Sequence, residues 1–444
     1  MSLDMPSSPF SLTVQMAADR IRTRNDQLCA FVTTCLDEAA SETGTATDGG
    51  ALQGVPFSLK DAWDTAGIVT TGGSYRFRDR VPEGSAPIYD VVRNAGAVLL
   101  GKTNLSDLSV SPEASSHVGG ATRNPHDLTR TAGGSSGGAA AAVADGMTAF
   151  DWGSDIGGSI RVPSAFCGVH GMRLSSETWP MSGYFPAPPD PMKWMNGQGP
   201  ITKTLAQMRL LLEVAAPRMR VGEGRDVTID GAWIYAPKHG RWPGFADDVR
   251  PWLQRCFNEV RDDHGLPHPH EARNLAIAVW ASHFDELLES DPMSLGEGVG
   301  AVLGALVFGG RRDKRLHPRT AEVMVAVMAG RYTLFRNRDK ALAEAHGYRQ
   351  QVSKAWQQGY VVVAPVCAYP APRIGTTNRN THLLDCAFAG NVADSTALSI
   401  PCGHFDDGLP RAIQLMGPPG SEFALIDLAE RMLADQRAES MTGR

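Results

Sequence analysis

Between Ser106 and Ser175 the chain is dense in glycine, serine and alanine, with two glycine clusters, GGSSGG at 133–138 and GG at 157–158. Each cluster runs straight into a segment that reads as ordered: the helix start AAAAVADGM after the first, the apolar IRVPSAFCGVHGM after the second. Flexible Gly/Ser linkers do not alternate with core-like segments in this way. These glycines therefore shape tight backbone. The 47 glycines in 444 residues, well above the usual roughly 7%, are not spread evenly.

Several chemistries use such backbone. A phosphate-binding P-loop needs GxxxxGK[ST], and neither cluster supplies the lysine and hydroxyl after its last glycine. The dinucleotide fingerprint GxGxxG has a spacing that GGSSGG does not match. No nucleotide cofactor is expected. Gly133–Gly137 formally fits GxSxG with Ser135 at its centre, but a nucleophile elbow follows a buried strand. Here the preceding residues are the polar, turn-rich RNPHDLTRTA.

The segment DWGSDIGGSIRVP fits better. Consecutive glycines let successive N–H groups turn toward one point, as an oxyanion hole requires. The amides of Ile156, Gly157 and Gly158 are the candidate donors, beside Ser159 as candidate nucleophile. A serine hydroxyl needs a proton acceptor, and none of the 12 histidines sits in a stretch that marks it as the partner. A lysine serves if burial keeps it neutral. Lys60 ends the strand-like run GVPFSLKD. Position alone fits an ordinary surface lysine at a strand end about as well.

Along the chain, apolar positions Val14, Ala17, Ile21, Leu28, Phe31 and Leu36 predict an amphipathic leading helix within 11–40. A polar Gly/Thr connector at 41–50 follows. Ile88–Asn94 reads as helix, Ala97–Leu100 as a short buried strand, and YVVVAPV and TALSIPCG as strands near the C-terminus. This grain predicts an α/β protein with a large mixed β-sheet covered by helices on both faces. The expected organisation is a single domain over 1–444. It has a core at about 55–210, a helical insertion at about 215–350, and a C-terminal part completing the sheet at about 355–435.

With 48 acidic against 42 basic residues the formal charge is −6. That excludes the basic face of a general nucleic-acid binder. Seven scattered cysteines without a CxxC pair read as reduced, buried thiols. MSLDMPSSPFSL lacks the charged and apolar regions of a signal peptide, and no apolar stretch approaches bilayer length. A cytoplasmic protein without membrane contact is expected. HGLPHPHE at 264–271 brings a zinc site to mind, but prolines flank His268 and favour a solvated loop. No metal is expected. Trp233, Trp242, Trp252, Trp280 and Trp356 read as core or cavity wall.

As a set these residues resemble the amidase signature family. The likeness rests on PFSLKDAWDTAGIVTTGGS, GAVLLGKTNLSDL, TRNPHDLTRTAGGSSGGAAAAVADGM and GSDIGGSIRVPSAFCGVHGMR. Weaker echoes are GPITKTLAQM, VVVAPVCAYPAPRIG and ALSIPCGHFDDGLPRAIQLMGPPGSE. The resemblance implies Ser159 as acyl-forming nucleophile, Ser135 as a bridging serine held by a cis peptide, and Lys60 as base. Ser136, Asp155 and Arg161 would hold the loop as scaffold. It implies a serine amidohydrolase acting on a small-molecule amide, with a homodimer unsurprising. An esterase-like hydrolase, the amidase subunit of a tRNA-dependent amidotransferase and a non-catalytic ligand sensor are the alternatives. Where family members often read GTDTGGS and then GLKP, this chain reads GSDIGGS and GMRLS, and Trp152 replaces a smaller aliphatic residue. These departures spare the three catalytic candidates and bear on substrate range.

Overall fold

The computed structural model describes residues 8–42, 50–179, 181–222, 227–262, 265–282, 295–308, 314–333 and 338–442. Residues 1–7, where a signal peptide would begin, most of the 41–50 connector and His264 lie outside the described residues.

An eleven-stranded mixed sheet forms the centre. In chain order its strands are β1 (Phe31–Thr34), β2 (Pro56–Lys60), β3 (Val98–Thr103), β4 (Phe150–Asp155), β5 (His170–Arg173), β6 (Gly197–Thr202), β7 (Gly231–Ile234), β8 (Glu259–Asp262), β9 (Tyr360–Pro365), β10 (Thr396–His404) and β11 (Pro410–Gly417). Across the sheet they lie β1-β3-β2-β4-β6-β5-β10-β11-β9-β7-β8. Strands β3, β2 and β4 run parallel, as do β9, β7 and β8. Antiparallel pairs join these two parallel sets.

Alternation along the strands builds a core on each face. In β9, Val361 and Val363 join one apolar cluster with Phe57, Leu59 and Trp152, while Val362 and Ala364 join another. Helices Leu205–Ala215 and Phe245–Cys256 pack on the first face. The second carries Pro269–Ser282, Arg338–Gln357 and Asp385–Val392. The predicted mixed sheet with helices on both faces is the observed fold.

Two expectations need correction. The leading helix is Val14–Leu28 only: Cys29 turns into the left-handed region at φ 52°, and Phe31 opens the edge strand β1, paired with β3. A stretch rich in β-branched residues (Val32, Thr33, Thr34) suits a strand better than a continuing helix. The 215–350 segment is not purely helical either. It supplies β7 and β8, joined through the crossover helix Phe245–Cys256 as parallel strands require.

Candidate active site

Because β2 and β4 are parallel neighbours, their C-terminal ends deliver Lys60 and Asp155 to one edge of the sheet. Ligands of open α/β sheets bind at such carboxyl ends. Two loops meet there. One carries GGSSGG into helix Gly137–Asp145, and the other leads from β4 through Ile156–Ile160 into helix Arg161–Cys167. The loops touch through the Ser136 amide, which donates to the Ser159 carbonyl at 3.1 Å. The Ser136 hydroxyl donates to the Ser154 carbonyl at 3.3 Å. At Gly134 a Cβ would stand 2.7 Å from the Glu113 backbone nitrogen, so a side chain there would push the loop off its seat. The Gly134–Ser135 peptide is cis.

Lys60 is wholly buried. Its Nζ lies 2.6 Å from Ser135 Oγ and 2.7 Å from Ser154 Oγ. Ser154 in turn donates to the Tyr184 hydroxyl at 3.1 Å. Burial pulls the Lys60 amine down from 10.5 to about 7, against the upward pull of Asp155 and Asp151. Lysine at that value holds a substantial neutral fraction at physiological pH. The surface-lysine reading therefore does not apply.

Asp155 fixes the second loop. It accepts from the amides of Gly158 at 2.7 Å and Ile160 at 3.1 Å, and from the Arg161 guanidinium at 2.9 and 3.0 Å. Arg161 also reaches Gln414 at 2.6 Å and Asn391 at 2.7 Å, and both Asp155 and Arg161 side chains are fully buried. Burial alone would raise the Asp155 carboxyl. Arg161, Arg173 and Asn391 outweigh it and hold the group well below the usual carboxylate range.

Ser159 is 8% exposed, where Ser135 is 1%. It lines a cavity of about 550 Å³ together with Ile156, Gly157, Trp280 and Phe388, a size suited to a small-molecule ligand. One expected donor falls away: the Gly158 amide is committed to Asp155 and does not face an oxyanion. The amides of Ile156 and Gly157 have no acceptor among the described residues. Ser154, Tyr184, Asn391 and Gln414 were not singled out from sequence. Only Ser154 had a local signal, being the hydroxyl residue of the GSD triplet.

Other expectations can be placed. Trp280 is cavity wall and Trp242 is core. Pro269 starts a helix rather than continuing a loop, with the His268 and His270 Nδ1 atoms 2.6 Å apart. No group of three or more His, Cys, Asp or Glu suited to a metal occurs among the described residues. All seven cysteines are free thiols, four of them buried. No described helix is long and apolar enough to cross a membrane.

The family profile named Amidase matches residues 13–230 and 253–426. The chain belongs to the amidase family. Among its relatives in that family, a glutamyl-tRNA(Gln) amidotransferase subunit from Moorella thermoacetica is 31% identical over 449 residues, spanning 93% of this chain and 90% of that protein. The peptide amidase from Stenotrophomonas maltophilia superposes with a TM-score of 0.73 at 23% identity, covering 96% of this chain and 93% of that one. The glutamyl-tRNA(Gln) amidotransferase subunit from Thermotoga maritima does so at 0.71 and 22% identity, covering 94% and 90%. At those identities the structural likeness shows the shared amidase fold.

Proposed function

We propose that this amidase-family chain is a serine amidohydrolase, cleaving a carboxylic amide C–N bond to an acid plus ammonia or an amine. Ser159 attacks the amide carbonyl and passes its proton to Ser135, which passes one to neutral Lys60. The amides of Ile156 and Gly157 stabilise the oxyanion. The proton then returns to the leaving nitrogen, the C–N bond breaks, and water hydrolyses the Ser159 acyl-enzyme by the same relay. Asp155, Arg161 and Ser136 hold the loops.

The observation that carries this reading is the 2.6 Å contact between buried Lys60 and Ser135. A neutral amine has two N–H groups and one lone pair. With one N–H given to Ser154, which is itself anchored on Tyr184, the lone pair is free to accept from Ser135. We read the chain as one catalytic domain acting in the reducing cytoplasm. The test is intact-protein mass spectrometry after fluorophosphonate treatment. A single adduct lost in Ser159→Ala establishes the nucleophile. An adduct that survives Ser159→Ala but is lost in Ser135→Ala moves it to the GxSxG serine, and no adduct on any form removes the proposal.

The sequence relatives favour a second reading, the amidase subunit of a tRNA-dependent amidotransferase. That reading requires a partner chain and glutamine as ammonia donor. Co-purification of a second protein would favour it. Turnover by the isolated chain of amides other than glutamine would count against it.

A further inference from the structure

The cavity over Ser159 is graded from polar to apolar, and two helices set the gradient. On helix Pro269–Ser282 the cavity-lining residues run from Arg273 through Ile277 to Trp280; on helix Pro318–Thr333 they run from Arg319 through Val323 to Val327. Seven residues of helix span roughly 10 Å. The polar ends meet at one loop: Arg273 donates to the Thr381 carbonyl at 2.6 Å and Arg319 to the Gly375 carbonyl at 2.7 Å. The apolar ends meet at the catalytic loop. Trp280, Val327 and Ile156 together wall a small side cavity of about 60 Å³. Phe388 packs edge-to-face on Trp280, with ring centroids 5.9 Å apart. Its ring leaves no room for a side chain on Gly157, where a Cβ would stand 2.8 Å away.

Two of the three arginines at the polar end are already engaged. Arg273 pairs with Asp385 at 3.0 Å and Arg319 with Glu322 at 2.6 Å, while Arg379 sits exposed to water at the rim. A substrate carbonyl held at Ile156 and Gly157 therefore has the hydrocarbon of Trp280, Phe388 and Val327 and the uncharged hydroxyls of Ser109 and Ser111 around it, with the charged side chains set back by a helix span of roughly 10 Å.

Resting on the proposed amidohydrolase reading, we infer that the substrate is an uncharged carboxamide whose acyl group is aryl or bulky branched hydrocarbon. Glutamine carries its charged α-carbon only three bonds from the amide carbon, so both charges would be stripped of water against Trp280, Phe388 and Ile156. That desolvation is costly without a dedicated partner. A phenyl or branched alkyl group instead gains by burial and by edge-to-face contact with the two rings.

The experiment compares kcat/KM for phenylacetamide and isovaleramide with acetamide and glutamine. The same preparation is titrated with fluorophosphonate, and the phenylacetyl, isovaleryl and acetyl groups are also offered as p-nitrophenyl esters. The expected result is a preference of at least tenfold for the two bulky acyl groups. Trp280→Ala should reduce the phenylacetyl-to-acetyl ratio at least fivefold, and Ile277→Ala serves if that variant does not fold. If Ser159 labels but glutamine or acetamide is cleaved equally well or better, or no compound turns over, the pocket inference is overturned while the nucleophile stands. Absence of labelling brings down the amidohydrolase reading itself, and this inference with it.

Discussion

Lys60 and Lys102 stand one register step apart on the adjacent parallel strands β2 and β3, and both are wholly buried. Since side chains alternate along a strand, that single step sends them to opposite faces. Burial depresses both amines, to about 7 for Lys60 and about 8 for Lys102. Their partners differ in kind. Lys102 donates to the Trp63 carbonyl, to Thr65 at 3.1 Å and to Thr70 at 2.9 Å, and buried Asp61 adds an opposing charge. The carbonyl only accepts, and the Thr65 and Thr70 hydroxyls give their own protons to the Trp63 and Ile68 carbonyls at 3.3 Å, so all three partners call for a donor and Lys102 must keep donating. Lys60 meets two hydroxyls, which can donate or accept. Depth of burial makes a neutral amine accessible, but the chemistry of the neighbours decides whether it can act as a base.

Exchanging the two sites should break the symmetry sharply. Lys60→Ala is expected to slow fluorophosphonate labelling of Ser159 by about 10³-fold or more, as loss of a triad member does elsewhere. Lys102→Met should leave the labelling rate per folded molecule within about threefold. It should lower the urea-unfolding free energy by about 1–3 kcal/mol, because the Trp63 carbonyl loses its amine donor and buried Asp61 its neighbouring cation. Equal losses of labelling in both variants would end the distinction.

The comparison also assumes that Ser159 is held independently of either amine. Asp155→Asn should therefore destabilise the fold by about 3–5 kcal/mol in urea unfolding, because the Arg161 charge is left buried with its counter-ion removed. A shift below about 1 kcal/mol would show the loop to be held by other means.

Smaller in amplitude is the pH dependence. In the proposed relay Lys60 acts in its neutral form, and burial lowers its value, so the labelling rate should rise as pH climbs through about 7 and level off above it. Lys102→Met should keep that inflection in place. A flat profile from pH 5 to 9 contradicts the base assignment. Tyr184→Phe should have the mildest effect, roughly a three- to tenfold loss of rate. It frees the Ser154 hydroxyl to donate to the amine, which favours neutral Lys60 and lowers the inflection. An unmoved inflection would leave Tyr184 without influence on Lys60.

Much of this site is legible in sequence because its parts lie on short, stereotyped stretches. GVPFSLKD forms a strand ending in lysine, and the two glycine clusters form loops that open helices. Failures have physical reasons too. The glycines at 157 and 158 reveal that amides can turn, but not that the Asp155 carboxylate captures the second. The β7 and β8 strands have four residues each, too few for a periodicity to stand out among helices. Tyr184, Asn391 and Gln414 reach the site from segments whose proximity only the sheet order dictates.

The Arg161 contacts with Asn391 and Gln414, 230 and 253 residues further along, have a consequence for biosynthesis. Every proposed catalytic group lies in the first 161 residues, yet the loop carrying Ser159 is clamped by strand β11 and the helix before β10. Translation thus delivers the proposed nucleophile long before it delivers the clamp. A nascent chain on the ribosome holds Ser159 without its finished cradle, and under the proposed mechanism competence arrives near release. A truncation ending before residue 391 would retain all the proposed chemistry in its sequence and still lack the scaffold that poses it.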